Sequence, residues 1–382
     1  MAGPYLVTGT ELHGGTVAWE RCHRVSDEVW ERDPRIQLSP GDLLVTKDGT
    51  IGKIAVVAQP PGRATLNSGV FRVTPRKPLL DPRFAFWVLC SRLFTDFIDL
   101  LSSGSTINHL YQADFVNFAL PFAPLNEQRA VADYLDHETA RIDSLIEKKQ
   151  RMVALLEART WIAFGDRVAE SQSPVVPVRR TLMSLIDGPF GSAFSSSDYS
   201  ATGAIVVRLG NIGFSRYRAA DQARIPMTMF HTFRHYQVKQ GDLLIAGLGD
   251  DRNHAGRACV APDLGPAIVK GKCFRGRVDR TRANAEFLAL LLSSPMGAQM
   301  MNVSGRGSTR SMINLEIVKN TAIPLPKVED QARIVMETRA QQARTMQATD
   351  VLAQQINLLR ERRQALITAA VTGELDVAAA AA

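Results

Sequence analysis

Apolar positions change their period three times along the chain. Short apolar runs between glycine turns, Asp42–Val45, Ile54–Val57 and Val70–Val73, predict strands, and the pattern returns at Ile205–Arg208, Asp242–Ile245 and Ala258–Val260. From Asn126 the spacing switches to three, four or seven, through Val131, Leu135, Ile142, Leu145, Met152 and Leu156. That spacing predicts a helix from about Glu127 to Phe164, stopped at Gly165 and followed by the linker Ser171-Gln-Ser-Pro-Val-Val-Pro. Such a helix is ~55 Å long and needs a partner. Leu352, Ile356, Leu359, Leu366 and Ala370, spaced 4-3-7-4, supply one. Each seam carries one interruption, Lys149 and Arg363. A single stripe reads better as an ordinary core helix; two matched stripes favour an antiparallel coiled coil with a small domain at each end.

The match extends to the whole chain. Gly41-Asp-Leu-Leu-Val returns as Gly241-Asp-Leu-Leu-Ile, Gly104-Ser-Thr as Gly307-Ser-Thr, and Pro121-Phe-Ala-Pro-Leu-Asn-Glu-Gln as Pro324-Leu-Pro-Lys-Val-Glu-Asp-Gln, at offsets of 200 to 203. Such a period is too long for a solenoid, so the chain holds two copies of one domain. The expected class is an α/β (α+β) tandem: a first domain at 1–125, a helix and linker at 126–173, a second domain at 174–327, a second helix at 328–377 and a disordered or frayed tail at 378–382. Gly3-Pro-Tyr-Leu-Val aligns with Gly203-Ala-Ile-Val-Val, so the first domain lacks a counterpart of roughly 176–202. Either the start codon lies upstream, or the first copy is truncated and impaired.

Charge separates the two copies. Residues 1–125 carry 12 basic and 12 acidic side chains, whereas 174–327 carry 20 and 10, the basic ones being 15 Arg and 5 Lys. Arginine suits bidentate contact with phosphate or the guanine edge, which points to a polyanion; a solvated Arg-rich surface is the alternative. The best candidate for a membrane span, Phe84 to Leu101, is broken by Arg92, Asp96 and Asp99, and the N-terminus has no signal-peptide pattern. No membrane contact and a cytoplasmic location are expected. Cys22, Cys90, Cys259 and Cys273 stand far apart with no zinc-ligand spacing, and read as buried thiols.

Catalytic signatures fail one by one. Gly265-Pro-Ala-Ile-Val-Lys-Gly-Lys-Cys has the wrong glycine spacing for a phosphate loop and Cys273 where the magnesium-binding hydroxyl belongs. Glu147-Lys-Lys149 falls within the helical stripe, and no Asn-Pro-Pro-aromatic, His-Glu-x-x-His or Gly-x-Ser-x-Gly motif occurs. No catalytic residue and no metal site are expected in this chain.

These duplicated strings, with Lys47-Asp-Gly-Thr-Ile-Gly-Lys53, Gly188-Pro-Phe-Gly-Ser192, Val207-Arg-Leu-Gly-Asn-Ile212 and the C-terminal Arg360-Glu-Arg-Arg-Gln-Ala-Leu-Ile-Thr-Ala-Ala-Val-Thr-Gly-Glu-Leu375, resemble the specificity subunit of type I restriction-modification systems over essentially the full length. The resemblance implies two target-recognition domains that read a bipartite, asymmetric double-stranded DNA sequence, with the helical pair setting the gap. It also implies docking of two modification (methyltransferase) subunits and two restriction subunits. S-adenosylmethionine, ATP and Mg2+ are then expected on those partners, and no cofactor on this chain. An assembly-only remnant, and a methyltransferase or nuclease with an unrecognised site, remain the alternatives.

Readout needs long polar side chains on loops. The loops after the Gly-Asp-Leu-Leu strands come first: Lys47, Thr50 and Lys53 in the first copy, Arg252, Asn253, His254 and Arg257 in the second. The Gly-Ser-Thr loops come next, with Ser105, Thr106, Asn108 and His109, and with Arg306, Ser308, Thr309 and Arg310. Arg208 and Asn211, in a Gly-containing turn, are candidates for readout or for structure. Ile142, Leu145, Met152, Leu156, Leu352, Ile356, Leu359 and Leu366 are the expected seam and docking positions.

Overall fold

The computed structural model describes residues 3–76, 79–102, 109–189, 195–220, 222–301 and 311–380. It divides into two compact units, one joining residues 1–151 to 351–382 and the other formed by 152–350. Both mix sheet and helix, and both contain part of each of two long helices, Leu125–Glu170 and Val328–Thr372.

In the first unit, strands Ile54–Val56, Leu43–Thr46 and Val70–Val73 form an antiparallel sheet. A second sheet sets Tyr5–Val7 antiparallel to His23–Arg24 and parallel to Ala64–Leu66. The second unit repeats both: Leu243–Ala246 lies between Ala258–Val260 and Cys273–Val278, and Ala204–Val207 lies between Ala223–Ile225 and Ala267–Val269. Here the first of these sheets has a fourth strand, Leu182–Asp187, and Val175–Pro177 pairs with Ala322–Pro324. The expected linker is therefore half strand. The repeated Gly-Asp-Leu-Leu has a local cause. Gly41 and Gly241 have φ of 91° and 85°, in the left-handed region glycine enters without steric penalty, and the following Asp42 and Asp242 each accept the N–H three residues back, from Ser39 and Lys239, at 2.8 Å.

Each unit packs a short apolar helix against the long ones. In the first, Phe84, Trp87 and Val88 of Pro82–Cys90 bury against Ala132 and Leu135 of the first long helix and Ile367, Ala370 and Val371 of the second. In the second, Phe287, Leu290 and Leu291 of Ala285–Ser293 share a core with Phe164, Val168 and Ile334.

The long helices run antiparallel in both units. Asp143 pairs with Arg363 at 3.0 Å and Lys149 donates to Gln355 at 2.7 Å; in the second unit Thr160 meets Thr345 at 3.0 Å and Arg167 donates to Glu337 at 2.8 Å. The seam follows a strict four-three alternation through Thr139, Ile142, Ile146, Lys149, Val153, Leu156 and Thr160, all buried or half-buried. Ile142 and Leu156 belong to it, as do Leu352, Ile356, Leu359 and Leu366 on the partner helix. Leu145 and Met152 do not: they are 46% and 53% exposed, one position short of Ile146 and Val153. Lys149 is no interruption either, because its aliphatic stem lies in the seam while its ammonium reaches Gln355.

Gly165 does not stop the first helix. The helix runs on to Glu170 and ends at Gln172, in the left-handed conformation with its N–H on the Ala169 carbonyl. A Cβ on Gly165 would lie 3.3 Å from the Met296 methyl, so glycine here serves the approach of helix Pro295–Met300. The second helix does end at a glycine, Gly373 at φ 79°, and a short helix, Val377–Ala380, follows. Among the described residues no helix is long and apolar enough to cross a membrane.

Candidate nucleic-acid interface

Within each unit the loop after the Gly-Asp-Leu-Leu strand meets the residues that follow the Gly-Ser-Thr string. In the first unit the loop after Leu43–Thr46 bridges to the segment following the Gly-Ser-Thr string: Asp48 pairs with His109, and the Leu110 N–H donates to the Lys47 carbonyl at 2.8 Å. In the second, Leu248 pairs with Met312, and the Gly249 N–H donates to the Ser311 carbonyl at 2.8 Å. Ser105, Thr106, Asn108, Arg306, Ser308, Thr309 and Arg310 lie outside the described residues.

The other candidates differ in what they can offer a ligand. In the first unit, Thr50 is exposed, Lys47 sits with its ammonium 5.1 Å from the Phe71 ring centre, and Lys53 donates to the Gly9 carbonyl at 3.2 Å. The His109 ring hydrogen-bonds the Asp48 carboxylate and meets Tyr111 edge-on. In the second unit Arg252 is exposed, at the tip of a turn in which Asp250 accepts the Arg252 and Asn253 N–H groups at 2.8 and 2.9 Å. Those bonds hold the Asp250 carboxyl below its ordinary pKa. The Asn253 amide is also spent on Asp250.

Arg257, Asn211 and His254 are structural. Arg257 is 4% exposed, and its guanidinium donates to the carbonyls of Ile212, Leu248, His254 and Leu209 at 2.8 to 3.1 Å. Burial lowers its pKa. It ties the loop to the neighbouring turn from within and offers nothing to a duplex. The buried Asn211 caps that turn, accepting the Arg208 N–H at 2.8 Å and donating to the Arg218 carbonyl at 2.9 Å. The half-buried Arg208 therefore holds its backbone in that cap. His254 places its ring nitrogens on the carbonyls of Ala255 and Ser293 and its face against Phe214.

Sequence reasoning passed over Lys270 and Lys272. They flank the turn between strands Ala267–Val269 and Cys273–Val278, and the Lys272 carbonyl accepts the Gly247 N–H at 2.8 Å, which sets this turn beside the Arg252 loop. The Lys270 ammonium bonds the Tyr199 hydroxyl at 2.7 Å. The signal was present in Lys270-Gly-Lys272, weighed only as a failed phosphate loop. A strand-to-strand turn presents cations without glycine spacing.

The chain is similar to known proteins over most of its length. Residues 3–153 match the family model described as the type I restriction modification DNA specificity domain. The chain is 22% identical over 306 residues to the type I restriction enzyme MjaVIII specificity subunit of Methanocaldococcus jannaschii, covering 78% of this chain and 71% of that one. It is 23% identical over 364 residues to the EcoBI specificity subunit of Escherichia coli, covering 88% and 74%. In fold it is similar to a solved chain from work on complex assembly and conformational transition of the type I restriction-modification system, with a TM-score of 0.71 at 17% identity over 97% of this chain and 92% of the other. Residues 3–153 thus match the DNA specificity domain of type I restriction modification, and over most of its length the chain is similar to type I restriction enzyme specificity subunits.

Proposed function

We propose that the chain reads a bipartite, asymmetric DNA target, one half-site per unit, and that the paired long helices set the gap between the halves. The observation that carries this reading is the duplicated juxtaposition of Asp48 with His109 and of Leu248 with Met312, which brings two distant stretches of chain together in each unit. Half-sites read by two modules of one molecule commonly lie about one helical turn, ~34–36 Å, apart. Phosphate contacts would come from Lys47 in the first unit and from Arg252, Lys270 and Lys272 in the second, and base readout from side chains on the same loops. Two modification subunits docked along the helices would bring S-adenosylmethionine and the methyl transfer, and two restriction subunits would bring ATP and Mg2+.

Sequencing methylated adenines in cells that carry the chain with its modification subunit tests the reading. A split motif with a fixed unspecified gap is expected, and it should change in one half only when the loop residues of one unit are replaced. Methylation at a single continuous motif would overturn it.

A further inference from the structure

Two arginines from different elements grip one hairpin of the second unit. The hairpin runs from Ile212 to Tyr217, which pair antiparallel, and turns through Ser215 at φ 54°. Arg257, from the loop 247–257, donates to the Ile212 carbonyl at 2.8 Å. From the long helix Val328–Thr372, Arg339 donates to the Ser215 hydroxyl at 3.0 Å and to the Ser215 carbonyl at 2.8 Å. The Arg339 guanidinium is itself held by Gln342 at 2.8 Å and by Glu286.

Ser293 closes the path from hairpin to loop. The Ser215 N–H donates to the Ala258 carbonyl and to the Ser293 hydroxyl, both at 2.9 Å. That hydroxyl also bonds the N–H and the carbonyl of Ala258, and the Ser293 carbonyl lies 3.2 Å from a ring nitrogen of His254. Ser215 and Ser293 are buried, so water does not compete for these bonds and an unmade one is costly. A two-pronged guanidinium contact fixes angle as well as distance. The helix therefore sets the hairpin, and the hairpin sets the loop whose tip carries Arg252.

The first unit is built differently at the equivalent places. Its hairpin, Leu12–Val17, turns at Gly14-Gly15, and Gly15 has no side chain to offer. Asp136, the counterpart of Arg339, spends its two oxygens on Trp87 at 2.8 Å and on Arg83 at 2.9 Å, both on the short helix Pro82–Cys90.

We propose that Arg339 is a positioning residue for reading the second half-site: by gripping Ser215 it holds the hairpin 212–217 against the loop 247–257, so the strictness of that loop depends on a side chain of the long helix. Asp136 has no such part in the first unit. The inference rests on the reading of the loop as a DNA contact. Base discrimination needs contact groups held to within about 0.5 Å, which is what a bonded support supplies.

The test measures adenine methylation by the full chain with its modification subunit, at the target sequence and at sequences with one base changed in either half. Arg339→Gln should raise methylation of sites changed in the second half about tenfold relative to the target, and leave sites changed in the first half as they were. Arg339→Lys, which can still donate to Ser215, should keep most of the discrimination, and Asp136→Asn should keep it in both halves. Amide exchange in the Arg339→Gln chain should rise at Ser215 and Gly256. Ser215→Gly keeps the left-handed turn and removes the hydroxyl, and should relax the second half in the same sense but less; it decides the matter if Arg339→Gln does not fold. Discrimination unchanged in the folded variants, or lost equally in both halves, overturns the inference. Arg252→Ala separates it from the reading beneath it. DNA binding indifferent to Arg252→Ala overturns that reading and the inference with it, whereas binding weakened by Arg252→Ala, with both halves still strict in Arg339→Gln, overturns the inference alone.

Discussion

Arg83 and Glu286 occupy the same place in the two units, 203 positions apart, and carry opposite charge. Arg83 pairs with Asp133 and Asp136 on the first long helix at 2.7 and 2.9 Å, while Glu286 pairs with Arg339 on the second. Asp136 and Arg339 are themselves 203 positions apart. The contact between short and long helix is thus kept in both units with its polarity reversed. Arg339 goes further and donates to the Ser215 hydroxyl and carbonyl at 3.0 and 2.8 Å, fixing a loop of the second unit to the helix.

Reversing one member should therefore be repaired by reversing the other. Arg83→Glu is expected to lower the stability of the first unit by about 0.5–1 kcal/mol, small because the pair is half-exposed, and Arg83→Glu with Asp136→Arg to recover most of it. Thermal unfolding of the four proteins of the cycle measures the coupling.

A deeper equivalence joins Gln128 and Gln331, both fully buried. Gln128 donates to the Leu79 and Ala123 carbonyls and accepts the Asp81 N–H; Gln331 donates to Arg282 and Pro326 and accepts the Asn284 N–H. Replacing either by Ala leaves a buried N–H and two carbonyls short of a partner, at a cost of about 1–3 kcal/mol. Amide exchange should rise first at Asp81 in one variant and at Asn284 in the other; uniform loosening would contradict this.

Arg252 and Arg257, five residues apart, should behave in opposite ways. Arg252→Ala should leave Tm unchanged, weaken DNA binding, and reduce the slope of log K against log salt by about 1. Arg257→Ala should lower Tm, because four carbonyls lose their donor, with no such change of slope in the folded protein. DNA titrations at several salt concentrations, set beside melting curves, distinguish the two.

Thiol chemistry offers a check on both cores. Burial pushes Cys259, Cys273 and Cys90 up to about 12 and Cys22 up to about 11. At pH 8 the native chain should react slowly with a thiol reagent, Cys22 first, and all four cysteines only after unfolding. A raised acid pKa favours the protonated thiol in the fold. This contribution to stability is complete below pH 9 and is lost as pH rises from about 9 through 12.

The twofold plan was legible because duplicated strings such as Gly41-Asp-Leu-Leu and Gly241-Asp-Leu-Leu survive on backbone need: a left-handed turn and an aspartate that caps it. Seam positions were legible only in part. Leu145 and Met152 look more apolar than Lys149, yet the four-three alternation selects Ile146, Lys149 and Val153, and a lysine stem satisfies it. Gly165 misled because a helix-stopping residue and a residue that lets another helix approach have the same composition. Arg257 misled because a buried arginine bonded to carbonyls and an exposed one facing phosphate are alike in one dimension; only the fold separates them from Arg252.

The first unit draws its core from two stretches that flank the second unit in the sequence. Phe84 and Trp87 wait for Ile367, Ala370 and Val371, and the Arg92 N–H for the Thr368 hydroxyl at 3.1 Å. The second unit is one unbroken stretch, 152–350. On the ribosome, then, the half translated first is completed after the other: its aromatic residues stay uncovered until the whole of the second unit and the returning stretch at 367–371 have been made, and loss of that stretch would leave the second unit sound and the first unset.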